Sequence, residues 1–392
     1  MFDKIEAAVQ RVYHCRCGNV VFFLNSSCLN CGAKLGYEPR LGQVFPLEPG
    51  TQPETWQLTA NPGEVYQRCG NLVTAAACNW LVKANREEYG PPKTLCLSCR
   101  LNHVIPDLSF PENAVLWGRI EVAKRRALSS LVVLGLPMAS RLEDPRRGLA
   151  FDFLRSPAGG LPVLTRHNNG TITLNIEEAD DARREQTRVA MREPYRTLVG
   201  HFRHEAGHYY WYRLISGSAW LELFRAVFGD ERTEYMAALE KHYAEGPRRD
   251  WRDHYVTAYA SIHPWEDWAE TWAHYLHMLD TLGTALSFGL RPDGVAIPFE
   301  AFRPDVLSQI EPSLMEQAQA DDPTRFLSLL NGWLKLTSAL NELSRGMGQP
   351  DFYPFVLPRP AVYKLYFVHT LIRAVSAGQA TSSLLAQGGH RI

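Results

Sequence analysis

The stretch HFRHEAGHYYW, residues 201–211, decides how the rest of this sequence is interpreted. Apolar residues recur near helical spacing around it and predict a helix over 195–215. These apolar residues are Leu198, Val199, Phe202, Ala206 and Tyr209. Because positions i and i+4 share a helix face, His204 and His208 can bind one zinc ion through their imidazole nitrogens. Glu205 lies beside them, where its carboxylate can accept a proton from a metal-activated water. The alternative is a surface helix with two histidines and no metal.

A second segment with metal-ligand chemistry lies downstream, where residues 265–277 read WEDWAETWAHYLH. Its tryptophans recur at helical spacing and predict one buried face. They are Trp265, Trp268 and Trp272. Glu266 and Glu270 share a helix face, and buried carboxylates are costly unless they are paired or bound to metal. Zinc ligation would account for Glu266, and a hydrogen bond to a ligand histidine would account for Glu270. Spacing alone leaves open which glutamate binds the metal; His274 as the ligand, or two solvated glutamates, are the alternatives.

All eight cysteines precede residue 100, which marks a separate N-terminal module. The first four form two close pairs, Cys15-Arg-Cys17 and Cys28-Leu-Asn-Cys31. Such pairs on facing turns can hold one tetrahedral zinc ion, and the strand-like segment 20–24 between them completes a ribbon hairpin. The opening pair is one residue shorter than the common CxxC spacing. We therefore predict a first structural zinc site with an unusual turn.

The other four cysteines predict a second structural zinc site. Cys96-Leu-Ser-Cys99 has the spacing of a zinc knuckle, whereas Cys69 and Cys78 are widely separated. Cys69 or Cys78 could instead be a small buried apolar residue. Two histidines flank the cysteine sets and could replace a cysteine as a ligand. They are His14 and His103. A module of this size holds little apolar core, so bound metal would stabilise it.

Composition restricts the partners and the compartment. The chain has 392 residues, a formal net charge of −1 and 45% hydrophobic residues, so its overall charge does not attract nucleic acid or an anionic membrane. The start, MFDKIEAAVQ, lacks the basic and apolar regions of a secretory signal, and the longest apolar stretch, residues 131–139, is too short to cross a bilayer. We therefore expect a cytoplasmic protein without a membrane partner, in which disulfides are disfavoured.

Helical and strand patterns outside these motifs complete the predicted elements. A helix is predicted over 111–136, and strands are predicted over 149–154 and 170–176. The last strand is a candidate edge strand beside a substrate cleft, with a plain sheet strand as the alternative. Helices are predicted again over 323–343 and 360–377.

The order of the motifs resembles the gluzincin arrangement of lethal-factor-type toxin proteases, in which HExxH precedes a helix with the pattern E-x-x-A-E. Here that pattern is Glu266, Ala269 and Glu270, and the resemblance implies that Glu266 is the third zinc ligand. That arrangement also has a tyrosine seven residues before the ligand, a position that Tyr259 occupies. The resemblance implies that Tyr259 hydrogen-bonds the oxyanion of the tetrahedral intermediate. The alternative is that Tyr259 is a core aromatic residue.

Across residues 10–350 the sequence resembles a bacterial family that joins a zinc ribbon to a zinc-binding metallopeptidase. The matching segments are CNWL at 78–81, CLSCR at 96–100, ITLNI at 172–176, HEAGH at 204–208 and PWEDWAE at 264–270. The resemblance implies a zincin-like fold with bound zinc and says little about the substrate.

The predicted fold class is α+β, with a small β zinc-ribbon module followed by a mostly helical, zincin-like metallopeptidase domain that contains a small sheet. The predicted boundaries are 1–108 for the ribbon module, 109–378 for the metallopeptidase domain and 379–392 for a tail.

The predicted function is hydrolysis of peptide bonds with one catalytic zinc ion and two structural zinc ions. We expect a protein or peptide substrate and a protein partner at the ribbons, whereas the net charge disfavours nucleic acid. Two other functions stay open. One is an adaptor whose ribbons bind nucleic acid or protein beside a vestigial catalytic domain, and the other is a hydrolase of non-peptidic amides. Glu205 argues against the adaptor, because a purely structural zinc site needs no base there.

Overall fold

The structure is a computed structural model that describes residues 11–84, 95–157, 159–161, 163–297, 301–307 and 323–387, with side chains as far as residue 378. It divides into two compact units. Among the described residues, the first unit comprises 11–133 and 137–202, and the second comprises 134–136 and the residues from 203 onwards. This division lies elsewhere than the predicted boundary between 108 and 109, which stays a prediction.

Strands dominate the beginning of the first unit. They are β1 (Val12–His14), β2 (Val20–Phe22), β3 (Leu35–Glu38), β4 (Gln43–Pro46), β5 (Glu48–Pro49), β6 (Trp56–Leu58), β7 (Asn61–Arg68) and β8 (Leu81–Lys83). The pairs β1–β2 and β3–β4 are antiparallel hairpins, and β5-β6-β7-β8 form an antiparallel sheet in that order. A small apolar core lies at this sheet and consists of Leu47, Trp56, Leu58, Tyr66 and Leu81. Other buried apolar side chains of this region include Phe23, Leu35, Tyr37 and Trp80.

A second sheet belongs to the same unit. Its strands are β9 (Asn102–Val104), β10 (Ala150–Leu154), β11 (Arg166–Asn168) and β12 (Thr171–Asn175), in the order β11-β12-β10-β9. Strand β10 runs parallel to β9 and β12, and β11 is antiparallel to β12. Ile172 and Leu174 are fully buried, as the alternating pattern predicts. The expectation of an edge strand over 170–176 is wrong for residues 171–173, because β11 pairs with that side.

Helices make up most of the remaining chain. They are α1 (Pro111–Val133), α2 (Asp181–Ala190), α3 (Leu198–Tyr210), α4 (Trp220–Phe228), α5 (Tyr235–Glu245), α6 (Trp251–His254), α7 (Pro264–Ser287), α8 (Pro323–Gly346) and α9 (Arg359–Gln387). Helix α3 continues into a π-helical turn, Trp211–Ile215. Helix α7 begins with Pro264, and the His263 side chain accepts a hydrogen bond from the backbone N–H of Trp265. Pro at the first position and a capped N–H both favour a helix start here.

Helix α7 forms the centre of the second unit. Trp268 and Trp272 are fully buried, whereas Trp265 is only half-buried, so the predicted tryptophan face is buried for the most part. The Trp272 ring stacks on that of Tyr210, the last residue of α3, with centroids 5.0 Å apart. Burial of these large rings stabilises the contact between the two metal-ligand helices, α3 and α7.

The predicted fold class is confirmed, since an N-terminal region rich in strands precedes a mostly helical region with a small sheet. Helix α9 runs from Arg359 to Gln387, so residues 379–387, predicted as part of a tail, are helical; 388–392 lie outside the described residues. In the part of the chain that the structure describes, no helix combines the length and apolar character needed to cross a bilayer.

Candidate metal centres

The three residues of the predicted catalytic centre come together in the second unit. His204 and His208 lie one turn apart on α3, and Glu266 lies in the first turn of α7. The two Nε2 atoms are 3.2 Å apart, and Glu266 Oε2 lies 3.1 Å from that of His204 and 3.5 Å from that of His208. Ligand atoms about 2.0–2.1 Å from a tetrahedral zinc ion are about 3.3–3.4 Å from one another. The three atoms therefore have the spacing that zinc requires.

The environment of Glu266 also fits a cation. Its side chain is 2% exposed, and among the described residues Oε2 has no hydrogen-bond partner. A buried charge is costly unless it is paired, and a metal ion between Oε2 and the two histidine nitrogens would pair it. Burial alone would raise the pKa of Glu266, but the adjacent His208 and His204 rings outweigh burial and hold that pKa well below its ordinary value. Glu266 is thus an anion directed at the two histidines.

Glu270 contacts the second ring nitrogen of His204, Nδ1. His204 Nδ1 lies 2.7 Å from Glu270 Oε1, and the Thr257 hydroxyl donates to Glu270 Oε2 at 2.8 Å. A proton on Nδ1 that is donated to this carboxylate leaves the Nε2 lone pair free for a metal. The contact predicted for Glu270 is therefore present, and Thr257 is an addition that the sequence did not indicate.

A tyrosine that sequence reasoning missed contacts the other oxygen of Glu266. Tyr235, the first residue of α5, donates its hydroxyl proton to Glu266 Oε1 over 2.8 Å. No motif marks Tyr235, which precedes Glu266 by 31 residues. Only the fold brings the two side chains together.

A close helix contact sets the distance between α3 and α7. A Cβ atom at Gly207 would lie 2.9 Å from the Cα atom of Ala269, so only glycine fits without a shift. Trp268 Nε1 donates to the Gly207 carbonyl over 2.7 Å in a buried position. Gly207 and Trp268 thereby fix His208 relative to Glu266. Gly207 lies within HEAGH, and Trp268 lies within PWEDWAE.

Glu205, the predicted base, is buried beside the two histidines. It is 6% exposed, and Oε2 has no hydrogen-bond partner among the described residues. Burial raises the pKa of Glu205, although the nearby His208 and His204 oppose the rise. A carboxylate whose pKa is raised is a stronger proton acceptor than a solvated one.

Tyr259 also lies at this centre. Its ring centroid is 5.9 Å from that of His204. Burial, with the negative charge of Glu266, raises the pKa of Tyr259 well above its ordinary value. The phenol is therefore protonated at neutral pH and is able to donate a hydrogen bond.

His274, the alternative third ligand, contacts a tyrosine. His274 Nδ1 lies 2.7 Å from the Tyr353 hydroxyl. The ligand atoms that lie within 4.8 Å of one another belong to His204, His208 and Glu266. The alternative in which His274 is the third ligand therefore has no geometric support.

The first cysteine set forms a cluster in which all four Sγ atoms lie within 4.8 Å of one another. The Cys15–Cys31 and Cys17–Cys28 sulfur distances are 3.6 and 3.7 Å. Sulfur ligands about 2.3 Å from a tetrahedral zinc ion are about 3.8 Å apart. Gly18 follows the short opening pair with a φ of +82°, a conformation that permits the unusual turn.

The second set forms a cluster that is buried throughout. Cys69, Cys78, Cys96 and Cys99 are each at most 2% exposed, and their sulfur atoms also lie within 4.8 Å of one another. The backbone N–H of Cys96 donates to Cys69 Sγ over 3.4 Å, as is usual around thiolate ligands. Neither cluster includes a histidine, and His103 instead contacts Asp152 at 2.8 Å. The eight cysteines thus group as their spacing predicts.

Comparison with known proteins identifies the family of the chain. Residues 113–371 match a family model described as "Putative zinc-binding metallo-peptidase", and residues 12–110 match a zinc-ribbon domain. Uncharacterized proteins of Mycobacterium tuberculosis and Mycobacterium bovis are 42% identical to the chain over 368 residues, which is 93% of this chain and 96% of theirs. No solved structure matches the chain at a significant level. The chain belongs to this zinc-binding metallo-peptidase family, as the resemblance in its motifs implied.

Proposed function

We propose that the protein is a zinc-dependent peptidase whose catalytic zinc ion is held by His204, His208 and Glu266. The observation that carries the proposal is a set of three ligand atoms at zinc spacing beside the buried Glu205, whose Oε2 has no hydrogen-bond partner among the described residues. Three protein ligands leave a fourth position for water or substrate, which distinguishes catalytic zinc sites from structural ones.

Bound zinc would supply a Lewis acid that polarises the scissile carbonyl and a water whose pKa is lowered. Glu205 would accept a proton from a water at this centre and later donate it to the leaving amine. The protonated Tyr259 phenol donates a hydrogen bond to the oxyanion. Glu270 keeps the Nδ1 proton on His204 and fixes the orientation of the ring.

The two cysteine clusters are proposed as structural zinc sites. Each offers four sulfur ligands, which complete a tetrahedron and leave no position for substrate. We propose that the ribbon region recruits a protein substrate or partner. Because the net charge is −1, nucleic acid is not the expected partner.

A peptide cleavage assay with matched variants tests the proposal. Glu205→Gln keeps the size of the side chain and removes the base, so we expect turnover to fall by about 10²–10⁴-fold while zinc content stays unchanged. Glu240→Gln changes an exposed glutamate on α5 and should cleave like the wild type. Cleavage by Glu205→Gln at the wild-type rate would show that Glu205 is not the base. Hydrolysis of acyl-amides but no peptides would favour a non-peptidic amidase.

A further inference from the structure

The two oxygens of Glu266 have different surroundings. Oε1 accepts the 2.8 Å hydrogen bond from Tyr235, whereas Oε2 faces the two histidine nitrogens at 3.1 and 3.5 Å. Oε2 has no hydrogen-bond partner among the described residues. Within one carboxylate, one oxygen is thus occupied by protein and the other is left for the metal.

The position of Tyr235 is itself fixed by packing. Its ring centroid lies 5.3 Å from that of His263 and 6.2 Å from that of Trp265. His263 is held in turn, because it contacts the Thr233 carbonyl at 3.1 Å and accepts from the backbone N–H of Trp265. Helix α5 contains no fully buried residue, and it also approaches the centre through His242, whose ring centroid lies 6.2 Å from that of Tyr259.

We propose that Tyr235 is a positioning residue that makes Glu266 bind zinc through Oε2 alone. A carboxylate can ligate a metal through one oxygen or through both. A second oxygen on the metal would occupy the position that water and substrate need. By occupying Oε1, the Tyr235 hydroxyl keeps that position open. This inference rests on the metal centre of the proposed function and adds a residue to it.

Tyr235 and Tyr259 therefore have separate tasks. Tyr235 donates to the proposed metal ligand Glu266, so its hydroxyl is already hydrogen-bonded in the absence of substrate. Tyr259 has its ring near His204 and is assigned to the substrate oxyanion. Loss of the Tyr235 hydroxyl should change the affinity and the coordination of the metal, whereas loss of the Tyr259 hydroxyl should change only turnover.

Metal binding by Tyr235→Phe tests this assignment without a substrate. Zinc affinity is measured by chelator competition. The zinc that a His204→Ala/His208→Ala variant lacks is assigned to the histidine centre, and only that zinc is counted. Cobalt is then placed in the same centre while the cysteine clusters keep zinc, and its visible absorption reports coordination number. Glu240→Gln is the control, since Glu240 lies on the same helix and is exposed.

We expect Tyr235→Phe to weaken zinc binding by about 10–100-fold, as is typical when a partner of a metal ligand is removed. The cobalt absorption should weaken as the second oxygen joins the metal, and Glu240→Gln should change neither quantity. An unchanged cobalt spectrum overturns the proposal, with or without a change in affinity. If Tyr235→Phe does not fold, Tyr235→Met removes the hydroxyl at similar apolar volume and gives the same readout.

These readouts separate the inference from the peptidase proposal. If the wild type cleaves no peptide but Tyr235→Phe alters the cobalt spectrum, the peptidase proposal fails and the role of Tyr235 stands. If the wild type is a peptidase and the spectrum does not change, the peptidase proposal stands and the role of Tyr235 fails.

Discussion

The cysteine clusters and the His204–His208–Glu266 centre differ in how completely the protein surrounds a metal. Each cluster offers four sulfur atoms, and in the second cluster every cysteine is at most 2% exposed. The histidine centre offers three ligand atoms, and the side chains of its two histidines are 15% and 17% exposed. Because Cys17 and Cys31 of the first cluster are exposed as well, the number of ligands, and not burial, is what separates both clusters from the histidine centre. A closed tetrahedron stabilises a fold, whereas an incomplete and accessible one leaves room for chemistry.

The difference extends to the second layer of contacts. In the fully buried cluster the backbone N–H groups of Cys96 and Cys99 donate to sulfur, whereas in the first cluster the Asn30 side chain also donates, to Cys17 Sγ over 3.5 Å. In the histidine centre side chains do this work, with Glu270 on His204 and Tyr235 on Glu266. Side-chain partners tune ligand basicity and orientation, so we expect substitutions there to alter metal affinity and rate before they alter folding.

The largest expected effect is on the closed side of this comparison. Cys96→Ser removes a ligand from the fully buried cluster, and structural zinc contributes about 10–16 kcal/mol in zinc-finger peptides. We expect loss of one zinc ion and a destabilisation of several kcal/mol in denaturant unfolding. Ser98→Ala is the control, since this buried hydroxyl has no hydrogen-bond partner among the described residues. A Cys96→Ser protein with full zinc content and an unchanged midpoint would contradict a structural role.

On the open side, Tyr259→Phe should lower kcat by about 10²–10³-fold, the usual cost of removing an oxyanion donor. Zinc content and KM should stay near wild-type values, because the hydroxyl acts only on the transition state. Steady-state kinetics on a cleaved peptide measures both constants, with Glu240→Gln as the control. A raised KM with unchanged kcat would assign Tyr259 to substrate binding instead.

Glu270→Gln sharpens the comparison by weakening one side-chain partner of a ligand. The amide is a poorer acceptor for the His204 Nδ1 proton, so we expect zinc affinity at this centre to fall by about 10-fold or more. Chelator competition measures the effect, and Glu240→Gln is an exposed control on α5. Equal affinity in both variants would mean that Glu270 does not support the ligand.

The smallest expected effect is on helix packing. Gly207→Ala places a Cβ 2.9 Å from Ala269 Cα, and such overpacking costs about 1–3 kcal/mol, against about 1 kcal/mol gained in helix propensity. We expect a net loss of about 1 kcal/mol in the free energy of unfolding. Gly346→Ala, at the end of α8, meets no atom within 4 Å and should not destabilise. Greater stability of Gly207→Ala would mean that the two helices are free to separate.

The parts of the site that the sequence predicts are those set by spacing within one element. His204 and His208 share a face of α3, and Glu266 and Glu270 share a face of α7, because four residues make about one helical turn. The cysteine pairs are equally local. Strand alternation likewise predicted β12, although its pairing with β11 depends on the sheet and was missed.

The parts that the sequence does not predict depend on the path of the chain between elements. Tyr235 meets Glu266 across 31 residues, and Thr257 meets Glu270 across 13. Neither residue belongs to a periodic pattern or to a motif. Gly207 lies within HEAGH, but its contact with Ala269 requires the approach of two helices, which no single-helix pattern encodes.

The central claim is that this chain contains two closed zinc sites and one open site. Zinc per chain, measured by elemental mass spectrometry on the wild type and on the His204→Ala/His208→Ala variant, tests it most directly. The three ligand groups predict three zinc ions in the wild type and two in the variant. Two zinc ions in both proteins would mean that the histidine centre holds no metal, and the account of this protein as a zinc peptidase would be wrong.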